Sequence, residues 1–92
     1  MIQVITDNRV KERAVYVELA KQFAADAVHD QGCRGMKVCV DPEETDRVVF
    51  LSQWDRKEDF LKHTQGKAFE KHIPAMAPYY ISGTDTFLEI AE

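Results

Sequence analysis

The chain has 92 residues, 45% of them apolar and 30% charged, with 12 basic and 16 acidic side chains for a net charge of −4. That length allows one domain, residues 1–92, which buries only roughly 60–65% of its unfolded surface, so a partner subunit would add to a modest stability. Acids and bases are interspersed without a basic stripe, which argues against a nucleic-acid partner.

No window approaches about 18 consecutive apolar residues, so no membrane-spanning helix is expected. The opening "MIQVITDNRVKER" lacks a basic segment followed by a long apolar run, and a cytoplasmic location is expected. Cys33 and Cys39 are the only cysteines. On a single strand they would lie about 20 Å apart at roughly 3.3 Å per residue, too far for a disulfide. They read as reduced thiols that pack as small hydrophobes.

In chain order, "IQVIT" (2–6) reads as a strand with Ile2 and Val4 on one face. Asp7 and Asn8 offer caps for a helix from about Val10 to His29, in which Val10, Ala14, Val17, Ala20 or Lys21, Ala24 and Val28 recur at helical spacing and Tyr16, Leu19 and Phe23 widen the stripe. "DQGCRG" (30–35) ends it, with Gly32 suited to a left-handed position. "MKVCV" (36–40) alternates as a second strand, "DPEETD" (41–46) is a turn, and "RVVFLSQW" (47–54) is a third strand. Asp55 to Glu58 has the form of a capping box for a short helix that buries Phe60 and Leu61. Gly66 interrupts it, and a further helix carries Phe69, Ile73 and Met76 until Pro74 and Pro78 limit it. "TDTFLEIAE" (84–92) is the last strand.

The order β-α-β-β-α-β, with its second helix broken, is the ferredoxin-like α+β pattern: a four-stranded antiparallel sheet with its helices on one face. The third strand is apolar on both parities, with Val48 and Phe50 pointing one way and Val49 and Leu51 the other. Such a strand expects cover on both faces. The simplest cover for the open face is an identical sheet, giving a face-to-face homodimer.

Trp54, His63 and His72 stand nine residues apart. On one continuous helix that spacing turns the chain about 900°, leaving the two histidines half a turn out of phase. A shared metal site of the i, i+4 kind is thereby excluded, and no metal is expected. His63, just beyond Phe60 and Leu61, and His72, beside Ile73, each read either as an edge histidine or as a polar group lining an apolar pocket, able to exchange a proton near neutral pH. Trp54 reads as a core ring with one hydrogen bond, Asn8 as a helix cap, and Tyr79 and Tyr80 as core residues or as hydroxyls at a pocket mouth. The glycines form neither GxGxxG nor a P-loop, which removes the usual dinucleotide and nucleotide cradles.

The stretch "QWDRKEDFLKHTQGKAFEKHIPAM" resembles the antibiotic biosynthesis monooxygenase domain, whose pattern is roughly (E/Q)W-x-S-xx-(A/D)-(L/F)-xx-H, a small-residue break, a Phe and a P-x-M-like tail. Trp54, Phe60, His63, Phe69, Pro74 and Met76 fall in register with it, and "QGCRG" looks like the family's segment after the first helix. Where the family often carries a further histidine and an aromatic, this chain has Ala68 and Met36. The resemblance implies a dimeric α/β barrel and a cofactor-independent oxidation of a small quinol- or anthrone-like aromatic by O2. It implies His63 as the proton-handling group, Trp54 and Phe69 as pocket walls, and Asn8 as a substrate-orienting residue; His72 and Tyr79 complete the expected binding set.

The same resemblance leaves other readings open. One is a non-catalytic dimeric barrel that binds a small hydrophobic ligand. Another is haem degradation, as in a sister group with an Asn at the end of the first strand, a Trp and an axial His. Asn8 matches that Asn, but the Trp position holds His63 and the axial position holds Ile73, with His72 one residue, about 100° of helix, away.

Overall fold

The computed structural model describes all 92 residues. Strands β1 (Ile2–Val10), β2 (Cys33–Val40), β3 (Arg47–Trp54) and β4 (Tyr80–Glu89) alternate with helices α1 (Arg13–Ala27), α2 (Lys57–His63) and α3 (Lys67–Met76), and a short 3-10 turn spans Ala77–Tyr79. The strands form one sheet in the order β2-β3-β1-β4, every neighbouring pair antiparallel. This is the ferredoxin-like α+β fold expected from the order of elements. No helix is long and apolar enough to cross a membrane.

Pleating separates the two faces of the sheet. Val4, Val10, Val48, Phe50 and Trp54 are buried under the helices, where they meet Tyr16, Ala20, Phe23, Ala27, Phe60 and Met76. The opposite parity of β3, Val49 and Leu51, is only half-buried, and Gln53 is exposed. Within one chain β3 is therefore covered on one face, and its second apolar parity has no cover from the chain itself.

Several boundaries differ from the sequence reading, each for a local reason. β1 continues to Val10, because Asp7, Asn8 and Arg9 pair with Val49, Val48 and Arg47. Asp7 and Asn8 are consequently mid-strand residues and cap nothing. The Asp7 side chain is taken by Arg47, which holds its carboxyl below the usual range. The helix begins only at Arg13, after Glu12 turns the chain in the left-handed region (φ 50°) and offers its carbonyl to Val15 and Tyr16. Its buried face is Tyr16, Ala20, Phe23, Ala24 and Ala27, which keeps Ala20, Ala24, Tyr16 and Phe23 of the expected stripe and replaces its valines by Ala27. Length decided this: a strand that uses Val10 removes it from the helical count.

The Asp55–Glu58 capping box does not form. Asp55 is drawn off by Arg34, 2.6 Å away, and α2 begins after Arg56 with no side-chain cap. β2 starts at Cys33 rather than residue 36, with a register shift by Gly35. β4 starts at Tyr80 rather than residue 84, and Ile90 lies beyond its end. Pro74 is accommodated inside α3, and Pro78 stands in the turn that follows it. Gly66 does separate α2 from α3, and Gly32 does adopt the left-handed conformation (φ 81°), although beyond the helix end. A Cβ at Gly32 would fall 2.2 Å from the Asp59 carboxylate. That close approach packs the α1–β2 loop against α2, which matters for the site.

Candidate active site

Between the sheet and the helices lies a cavity of about 370 Å³, within the size range of small-molecule sites. Asn8, Phe50 and Ser52 line it from the sheet, and Phe23 of α1 with Phe69 and Ile73 of α3 line it from the helices.

His63 is the last residue of α2 and lines this cavity, 4% exposed. Aromatic rings hold it on several sides, with centroids at 4.9 Å for Trp54, 5.5 Å for Phe23, and 5.8 Å for both Phe60 and Phe69. Its Nδ1 lies 2.6 Å from Asp30 Oδ2. A carboxylate only accepts, so this contact places the proton on Nδ1 and leaves Nε2 of the neutral ring as an acceptor. Nε2 has no protein partner, yet no fully buried side-chain nitrogen or oxygen in the chain lacks one. Nε2 therefore keeps accessible surface. Asp30 comes from the loop that Gly32 packs against α2, which explains how a residue 33 positions away reaches the ring.

The structure brings His63, Asn8 and Phe69 together on the cavity wall. Asn8 is 5% exposed and donates through Nδ2 to the Tyr16 hydroxyl at 3.3 Å. Trp54 is fully buried behind His63 and donates its indole N–H to Ser52 Oγ at 2.9 Å, so it supports the wall without forming it. His72 is not at the cavity. Its Nε2 lies 2.5 Å from Asp26 Oδ2, in the seam between α1 and α3. Tyr79 packs into the main core, and its neighbour Tyr80 lines the cavity instead, because the chain changes from 3-10 turn to strand between them.

Sequence reasoning missed Asp30, Tyr16, Ser52, Thr6 and Asp85. Thr6 Oγ1 donates to Asp85 Oδ1 at 2.8 Å across the β1–β4 pair, on the cavity side of the sheet. Tyr16 was visible only as an apolar stripe position, and Asp30 carried no local signal beyond its loop. Of the cysteines, both free and half-buried, Cys33 has its thiol pushed up by burial, so it stays protonated and poorly nucleophilic. No three His, Cys, Asp or Glu side chains gather as a metal site requires.

An aromatic-lined cavity between a broken helix and a four-stranded sheet, with one histidine oriented by a carboxylate, defines a ferredoxin-like domain built around a small-molecule pocket. The chain belongs to the antibiotic biosynthesis monooxygenase family, whose model matches residues 1–75. Membership supports a monooxygenase-type function. Among curated proteins, none matches the chain. Similar solved structures include an antibiotic biosynthesis monooxygenase, 18% identical with a TM-score of 0.86 over 100% of both chains. A conserved protein from Methanosarcina mazei is 19% identical, with a TM-score of 0.82 over 95% of this chain and 89% of its own. SnoaB, a cofactor-independent oxygenase from Streptomyces nogalater, is 12% identical, with a TM-score of 0.85 over 99% of this chain and 93% of its own. At these identities the likeness to solved structures is one of fold.

Proposed function

We propose that residues 1–92 form a single domain that oxidises a small quinol- or anthrone-like aromatic with O2, using no cofactor. The observation that carries this reading is His63, fixed by Asp30 at 2.6 Å in the wall of an aromatic-lined cavity with Nε2 unpartnered. Nε2 takes a proton from the substrate. The resulting electron-rich anion passes electrons to O2 directly, so no external reductant is needed. One oxygen atom enters the ring and the other leaves as water: the quinol gives up its ring hydrogen and two hydroxyl protons, of which two form that water and the third sits on the new hydroxyl of the hydroxyquinone; an anthrone CH2 becomes C=O as its two hydrogens leave in one water. Phe23, Phe50 and Phe69 hold the rings and exclude bulk water, which strengthens every polar contact inside. The similarity to a cofactor-independent oxygenase from Streptomyces nogalater accords with this chemistry.

A homodimer through the open sheet face belongs to the same proposal. Ile5, Val49 and Leu51 lie half-buried there and Leu88 is 49% exposed, an apolar strip that a second copy would cover. A monomeric mass in sedimentation at micromolar concentration contradicts it.

The test is O2 uptake with a reduced naphthoquinone or an anthrone. Uptake that withstands chelators and is lost in His63→Ala supports the reading, and a His63→Ala variant with full turnover refutes the assigned role. A non-catalytic barrel that binds a hydrophobic ligand predicts binding without O2 consumption across the same panel. The haem reading draws no support from His72, which is turned to Asp26 while Ile73 faces the cavity.

A further inference from the structure

The cavity has a second polar end, remote from His63. Tyr16 stands on α1 seven residues before Phe23, whose ring lies against His63 at 5.5 Å. At about 1.5 Å rise per residue, that spacing separates the two positions by roughly 10 Å along the helix. Phe23, Phe50 and Phe69 line the same cavity.

Tyr16 is 2% exposed and lines the cavity. Its hydroxyl accepts from Asn8 Nδ2 at 3.3 Å, and no protein acceptor takes its own proton. Burial pushes this phenol up, against the opposing pull of the Asn8 contact, so it remains a donor at neutral pH. Asn8 pairs across the sheet with Gly83. A Cβ at residue 83 would lie 2.2 Å from Asn8 Oδ1 and 2.7 Å from the Tyr80 hydroxyl. The glycine thus leaves the room that these two polar groups occupy beside Tyr16.

We propose that the Tyr16 hydroxyl, held by Asn8, binds the substrate oxygen on which negative charge develops when His63 removes a proton from the opposite end of the ring system. The proposal rests on the reading of His63 as proton acceptor. The proton passes to His63 Nε2 and, where the far oxygen is a conjugated carbonyl as in an anthrone, the electron pair left behind delocalises through the rings onto that oxygen. Tyr16 donates a hydrogen bond to that oxygen and keeps its own proton. The site then favours aromatics with a carbonyl oxygen opposite the acidic position, because a molecule without that oxygen leaves a buried donor unanswered.

Two probes of similar size test this, para-hydroxybenzaldehyde and para-ethylphenol, titrated against the full chain by ultraviolet difference spectroscopy. The wild type is expected to bind the aldehyde about tenfold more tightly, the worth of one hydrogen bond at a buried site, and Tyr16→Phe to bring the two affinities level. The bound aldehyde is also expected to ionise at lower pH in the wild type than in Tyr16→Phe. Equal affinities in the wild type overturn the proposal, as does a ratio unchanged in a folded Tyr16→Phe protein. Where that variant does not fold, Asn8→Ser, which removes the amide partner, is expected to lower the ratio, and an unchanged ratio overturns the proposal. O2 uptake that persists beside an unchanged ratio removes only the Tyr16 assignment. A wild type that binds neither probe and consumes no O2 removes the reading of the His63 site along with it.

Discussion

The chain contains two histidine–aspartate pairs that look alike and sit in different surroundings. His63 meets Asp30 at 2.6 Å and His72 meets Asp26 at 2.5 Å. Both rings lie against the same Phe23, at 5.5 and 6.0 Å. The first pair is secluded, with the His63 side chain 3% exposed and Asp30 27%. The second is open, with His72 at 13% and Asp26 at 44%, and Lys71 shares the Asp26 carboxylate. The contact itself does not make a site. What separates the pairs is where the ring stands: His63 lines the cavity, whereas His72 lies outside it in a seam that ties α1 to α3.

The comparison is broken most sharply by truncating each histidine. His63→Ala is expected to lower turnover by about 10²- to 10⁴-fold, the usual contribution of a positioned proton acceptor. His72→Ala is expected to leave turnover near wild type and cost about 1 kcal/mol of stability, as one partly exposed hydrogen bond does. An oxygen electrode and denaturant titration read both. Equal losses of turnover would erase the distinction.

A finer test acts on the carboxylates. Asp30→Asn is expected to reduce turnover by about a hundredfold, because an amide can donate to Nδ1 and so place the ring proton on Nε2, where an acceptor is needed. Nitrogen NMR of labelled histidine should report that change of tautomer at His63. Asp26→Asn should leave both turnover and the His63 signals as they are.

The smallest effect is one of acid stability. The hydrogen bond with His72, ahead of the nearby Lys71 charge, holds the Asp26 carboxyl below its usual range. A carboxyl lowered by folding stabilises the fold above its unfolded value of about 4, and that contribution is lost as pH falls through the folded value. The wild type should therefore exceed Asp26→Asn in denaturant midpoint at pH 6, with the gap closing below about pH 4. Asp41, lowered to about 2 by the backbone N–H groups of Glu43 and Glu44 and by Arg47, should show the same closing between about pH 4 and about pH 2 in Asp41→Asn.

The difference between the pairs also marks the limit of the sequence. Periodicity and breakers carried the element order, the split at Gly66 and the alternating faces of β3, because each depends on neighbours within a few positions. The motif around His63 was legible for the same reason. Asp30 was not: it is 33 residues from His63, and only the approach of Gly32 to Asp59 brings its loop to α2. Asn8 was legible as a polar residue but misplaced as a cap, since its strand partners Val48 and Gly83 lie 40 or more positions away. Tyr79 was favoured over Tyr80 because sequence alone does not set the turn at which the chain re-enters the sheet.

The most direct measurement is incubation of the chelator-treated protein with a reduced aromatic substrate under isotopically labelled dioxygen, followed by mass spectrometry of the product. The account predicts one labelled oxygen atom per product molecule with the wild type and only the uncatalysed background with His63→Ala. An unlabelled product from the wild type, or labelling that His63→Ala sustains at the same rate, would contradict it.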